Sequence, residues 1–216
     1  DSLTNIQILS MSSFKDLRTS ILVHITKPQA AKSIVSSGIM RCSKRGMLGP
    51  GVYFAETKET ADKKAHYKGA IVVCAVNLGK LYEVYSSATQ LTLAQLKAQN
   101  FDSVRGYKSN SPECKNFNTG TEFCVFEGNR ITPLFASISD ADETYYLLRN
   151  GKSTVKLRDF DMERLVINIE ANRITISDTT NRVYSTIPYH EPLMSGRKII
   201  FTNEGDFEFT KVIHRI

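Results

Sequence analysis

The chain has 216 residues, 41% hydrophobic and 23% charged, enough to bury the core of one large domain or of one domain and a smaller companion. No apolar run approaches the ~20 residues that a transmembrane helix needs, and the charged fraction is ordinary for a soluble protein. Net charge is +6, and the excess lies before residue 141: residues 1–140 carry 17 Lys/Arg against 11 Asp/Glu, and residues 141–216 carry 11 of each.

In chain order, "SILVHI" (20–25) reads as a buried strand. Thr26-Lys27-Pro28-Gln29 has the form of a capping box, with Thr26 as N-cap and Pro28 in the first turn. The helix it opens is predicted to run to about Ser37 and stop at Gly38. "CSKRGMLGPG" (42–51) is a glycine- and base-rich loop, and Val52-Tyr53-Phe54 is a short strand. Thr57 caps a helix to about His66. "GAIVVCAVNLGKLYEVY" (69–85) gives one or two strands. Thr92 and Gln95 form a second capping box, for a short helix to Gln99. "FDSV" (101–104) is a short strand or turn, 105–120 is loop-like, and 121–138 gives two strands around Glu127-Gly128-Asn129. From residue 141 the chain becomes a series of short β-type runs separated by turn residues such as Asn150-Gly151 and Ala171-Asn172, as in an antiparallel meander. With the fall in net charge this sets an expected boundary near 140: a first domain over 1–140, and a small β-rich domain over 141–216 that folds as its own unit.

Cys42, Cys74, Cys114 and Cys124 contain no CxxC pair, and no histidine lies between or near Cys114 and Cys124. Reduced thiols and no metal site are expected, in a cytoplasmic or nuclear protein without a membrane partner. No signal peptide is visible, and the first residue is Asp1, which leaves open an upstream segment. Residues 27–68 hold nine bases against Glu56, Glu59 and Asp62. Such a local field suits a phosphate-bearing ligand or a nucleic acid; an ordinary solvated lysine face is the alternative.

The "GPGVYFAET" stretch (49–57) has two readings of its own. Gly-Pro-Gly is common punctuation before a strand, and glycine also lets a ligand approach the backbone, with Tyr53 as a flat wall beside Gly49 and Gly51. His24 in "ILVHIT" and Glu122 in "TEFCVF" are the other polar residues on predicted strands. Singly, each has an ordinary structural explanation.

The order "VHIT … GPGVYFAETKETA … GAIVVCAVNLGKLYEV … TEFCVFEGNRITPLF" resembles the catalytic domain of the poly(ADP-ribose) polymerase family, the diphtheria-toxin-like ADP-ribosyltransferases, over about residues 20–138. The resemblance implies an α+β fold of antiparallel sheets with a few short helices, followed here by a small all-β part that matches nothing recognised. It implies NAD as substrate, release of nicotinamide and transfer of ADP-ribose, most of all mono-ADP-ribosylation of a protein. A nucleic-acid acceptor, or a catalytically silent module that binds NAD or a partner, are the other two readings. Oligomeric state is not readable.

Carried over by position, His24, Tyr53 and Glu122 become the catalytic residues. His24 would hydrogen-bond the adenosine ribose, Tyr53 would stack on the nicotinamide ring, and Glu122 would supply the catalytic carboxylate. The Ile25 backbone would hold the carboxamide, Thr26 matches the Ser/Thr of the first motif, Gly51 would edge the cleft, and Arg41 would face the pyrophosphate. The chain departs from the pattern at three places. Ile25 replaces a glycine. Ala61, or Thr60 if the helix slips by one, stands where the family has a serine. Lys64, or Tyr67 farther on, stands where it has a second stacking tyrosine.

Overall fold

The computed structural model describes residues 19–85, 90–106, 120–141, 143–158, 164–170, 172–189, 197–202 and 207–211. Cys114 and the turn at 203–205 lie outside them. The elements are β1 (Thr19–Thr26), α1 (Pro28–Ser37), β2 (Val52–Phe54), α2 (Lys58–Lys64), β3 (Ala70–Asn77), β4 (Leu81–Val84), α3 (Leu93–Ala98), β5 (Ser103–Gly106) and β6 (Glu122–Val125). A 3-10 turn at Gly128–Arg130 leads into β7 (Ile131–Asp140), β8 (Glu143–Asn150), β9 (Ser153–Leu157), β10 (Arg164–Ile169), β11 (Arg173–Ser177), β12 (Val183–Pro188), β13 (Arg197–Thr202) and β14 (Phe207–Lys211). This is a mixed α+β architecture of mostly antiparallel sheets with a few short helices.

Three sheets carry the fold, in the orders β1-β3-β7-β8-β9, β2-β6-β5-β4 and β12-β11-β10-β13-β14. Within them the β4–β5 pair is parallel. The first sheet is the middle layer. Its β3, "AIVVCAVN", is apolar on both faces because β1 and β7 flank it and other layers cover it on either side. One face sends Leu22, Val72, Ile138 and Tyr145 against Ala31 and Val35 of α1 and against Phe54 and Phe123 of the second sheet. The opposite face sends Val23, Phe135, Tyr146 and Leu148 against Leu165, Ile176, Ile199 and Phe201 of the third. The rings of Phe135, Tyr146 and Phe201 meet edge to face there, with centroids 5.2–6.4 Å apart. The first and second sheets are joined where Val23 and Ala55 exchange backbone hydrogen bonds of 3.0 Å.

The boundary expected at residue 140 falls inside a sheet. β8 and β9 extend the first sheet: Ile138 pairs with Tyr145, and Ala141, with φ 49°, makes the turn between them. Arg149 of β8 lies with its guanidinium beside Gly38, at the C-terminus of α1, where a cation complements the helix dipole. The third sheet then packs on the first, through its apolar face and through the Thr19 and Tyr189 hydroxyls, 2.6 Å apart in the interior. The balanced charge after 140 describes surface composition, and the alternation of Tyr146 and Leu148 places β8 in the first core. The run from 141 is also not a simple meander, since β13 returns to pair with β10.

Local signals fare unevenly. Gly38 ends α1 in the left-handed conformation, with φ 70°. Both arms of the Thr92–Gln95 capping box form. Thr57 caps α2 by accepting from the Thr60 N–H, although the helix stops at Lys64, two residues before the expected His66. Thr26 is not an N-cap: it stays paired with Ala70 as the last residue of β1, and Lys27 takes the cap position without a side-chain bond.

Candidate functional site

The residues between α1 and β2 are organised by Tyr53. Its hydroxyl accepts from the Leu48 N–H at 2.9 Å and donates to the Gly49 carbonyl at 2.7 Å, so the ring is clamped by the loop that precedes its own strand. The two glycines answer to the chain itself. Gly49 has φ 126°, and a Cβ there would sit 2.3 Å from the Leu91 carbonyl oxygen. A Cβ on Gly51 would sit 2.6 Å from Cys124 Sγ and 2.7 Å from the Val125 carbonyl oxygen. The turn reading therefore holds at both positions, and Gly51 in addition lines a cavity. Burial pushes the Tyr53 phenol well above its ordinary value, so it acts as a neutral hydrogen-bonding ring.

His24 lies on the same side of β1 as Leu22, at the end of the strand. Its Nδ1 is 2.8 Å from the Tyr53 carbonyl oxygen, which can only accept, so Nδ1 carries the proton. Burial pushes the pKa below its ordinary value, against the opposing pull of that hydrogen bond. The ring is thus neutral at pH 7, with Nε2 left as an acceptor suited to a hydroxyl donor.

Glu122 opens β6, 8% exposed. Its Oε2 lies 3.3 Å from Lys64 Nζ on α2, and both side chains are little exposed, at 11% and 13%. Desolvation raises the carboxyl pKa, and the Lys64 ammonium opposes it through its charge and hydrogen bond. Lys64 is the residue whose role sequence reasoning missed, having counted it only as a place without a tyrosine. Ala61 and Lys64, three residues apart on α2, share a helical stripe and both line the cavity, but nothing in that spacing names a carboxylate.

These groups surround one cavity of about 960 Å³, within the size range of a small-molecule or cofactor site. It gathers His24, Ile25, Thr26, Arg41, Gly51, Tyr53, Tyr67 and Glu122 from segments up to about a hundred residues apart in sequence. Thr60 is not on its wall. The Thr60 hydroxyl accepts from the Thr57 hydroxyl at 3.1 Å, and its side chain packs against Gly120 instead. Ala61 does line the cavity, with no polar atom to offer. Tyr67 is 57% exposed, with Lys27 Nζ 4.0 Å above its ring. Much of the basic stretch is spent internally, in the pairs Lys32–Asp140, Lys63–Glu59, Lys64–Glu122 and Lys68–Asp62. Arg41, Lys44 and Arg45 are exposed and form no ion pair among the described residues; Arg41 and Arg45 reach the cavity.

Cys74 and Cys124 are buried and Cys42 half-buried, all three free, and burial pushes the Cys124 thiol up to about 12. Among the described residues no group of three or more His, Cys, Asp or Glu could hold a metal ion, and no helix is long and apolar enough to cross a membrane. No family model matches the chain, and no curated protein matches it significantly.

Proposed function

We propose that the chain cleaves NAD and transfers its ADP-ribose to an acceptor, most of all to a protein as a single unit. The observation that carries this reading is the gathering of His24, Tyr53 and Glu122, in the order expected of an ADP-ribosyltransferase, around one cavity with a buried carboxylate on its wall. The antiparallel α+β framework is compatible with that fold.

The chemistry follows from the groups. The bond between the ribose C1 and the nicotinamide nitrogen breaks, and its electron pair goes to the ring, which leaves as a neutral molecule without needing a general acid. Positive charge spreads over C1 and the ring oxygen of the ribose. Glu122, hydrogen-bonded to the neighbouring 2′-hydroxyl, stabilises that charge from a site largely closed to water, as carboxylates do in glycoside cleavage. The acceptor nucleophile then bonds to C1 and loses its proton to solvent. The neutral His24, with Nε2 free to accept, suits a hydroxyl of the adenosine ribose. Tyr53, held by two hydrogen bonds, offers a preset face to the nicotinamide. Arg41 and Arg45 at the rim suit the pyrophosphate.

The exposed Arg41, Lys44 and Arg45 favour a second reading, in which the acceptor is a nucleic acid. Incubation with adenylate-labelled NAD and a cell lysate separates the two. Label that survives nuclease and is lost to protease supports protein transfer, and the reverse pattern supports the nucleic acid. No label and no nicotinamide release would overturn both.

A further inference from the structure

Glu122 meets a cation at one of its two oxygens. Lys64 Nζ lies 3.3 Å from Oε2, which leaves Oε1 for a substrate hydroxyl. We propose that Lys64 is a positioning residue for the proposed cleavage: its ammonium holds the Glu122 carboxylate in its charged form and fixes which oxygen faces the ribose. The proposal rests on the ADP-ribosyltransferase reading for its purpose, and on the ion pair alone for its physics.

The physical need is clear. A carboxylate this buried is driven towards its neutral form, which cannot stabilise positive charge on a ribose. A cation at hydrogen-bond distance opposes that drive. Among the described residues, the other titratable groups around Glu122 do not replace it. Tyr53 of β2 and Cys124 of β6 are held neutral by burial. His24 of β1 is neutral at pH 7. Arg105 of β5, the strand beside β6, acts on Glu56. Among the described residues, Lys64 is the charge that acts on Glu122 in the direction of ionisation. The lysine also stands where the family pattern has an aromatic ring, so in this chain a ring-stacking position has been given to the carboxylate.

The sign of the effect follows. Glu122 titrates above the ordinary carboxylate value, and activity that needs its charged form rises with pH through that midpoint. Removal of Lys64 moves the midpoint further up. The test has two arms. In the first, the Glu122 carboxyl carbon is titrated by NMR in the protein without NAD, the signal being assigned by its loss in Glu122→Gln. Lys64→Met and Lys64→Gln are expected to raise the midpoint, and Lys64→Arg to hold it near wild type; an unchanged midpoint in folded Lys64→Met and Lys64→Gln overturns the proposal. In the second arm, nicotinamide release is followed against pH. The acid limb is expected to move up in Lys64→Met and to recover at high pH, with Lys64→Arg restoring the limb. A uniform loss at all pH values would mark a merely structural lysine and overturn the proposal. If wild type releases no nicotinamide, the transferase reading falls, while the carboxyl titration still decides what Lys64 does to Glu122.

Discussion

The two faces of the middle sheet are built from the same strands and put to opposite uses. Against the third sheet, Phe135, Tyr146, Leu148 and Phe201 close an apolar layer in which the Thr19 and Tyr189 hydroxyls satisfy each other. Towards α1 and the second sheet, the layer is equally apolar at Leu22, Val72 and Phe54, but beyond them it opens into a cavity. His24, one residue after the buried Val23, presents an acceptor nitrogen there, and Glu122 sits buried beside the Lys64 ammonium with its pKa raised. The difference teaches where to look for chemistry. Here the hydroxyl pair that completes its own bonding lies in the closed layer, and the imidazole and carboxylate with capacity to spare lie on the cavity.

That contrast can be broken by mutation. The largest effect belongs to the closed face. Phe201→Ala removes a fully buried ring in contact with Phe135 and Tyr146, and should cost about 3–5 kcal/mol of stability by denaturant unfolding. The NAD affinity of whatever remains folded should be unchanged. Tyr189→Phe strands the Thr19 hydroxyl, which is fully buried; about 1–3 kcal/mol is expected, again without change in affinity. A change in affinity from either variant would show that the two faces are not separable.

The cavity face should answer in the opposite currency. Tyr53→Ala removes the ring clamped between the Leu48 N–H and the Gly49 carbonyl. It should weaken NAD binding by about 0.5–1.5 kcal/mol beyond the area lost, measured by calorimetry. The smallest effect is at the rim. Charge reversal of Lys44 and Arg45 should weaken binding of NAD or of an acidic acceptor at low salt and lose that effect near 0.15 M, where screening shortens to about 8 Å. No difference at low salt would make these residues an ordinary solvated face.

Much of this was legible in the sequence where the cause is local. Gly38, the Thr92–Gln95 pair and the turn at Asn150-Gly151 act through their own backbone, and each does what its chemistry suggests. The order of His24, Tyr53 and Glu122 was readable because each sits on a short strand with recognisable neighbours. What was not legible depends on partners distant in the chain. Thr26 is drawn into a ladder by Ala70. The boundary at 140 dissolves because β8 finds β7. Thr60 faces Gly120 and not the cavity. Lys64 acquires its meaning only when α2 lies beside β6, and no spacing within "KETADKK" announces a carboxylate 58 residues later.

The central claim is that Glu122 acts on charge that develops only as NAD breaks. Glu122→Gln keeps the shape and removes the charge, and NAD binding and nicotinamide release are measured side by side on the same preparation. The account predicts NAD affinity within a few-fold of wild type, with release lowered by ~10²–10³, about 3–4 kcal/mol of transition-state stabilisation. Wild-type release from Glu122→Gln, with NAD bound normally, would contradict it.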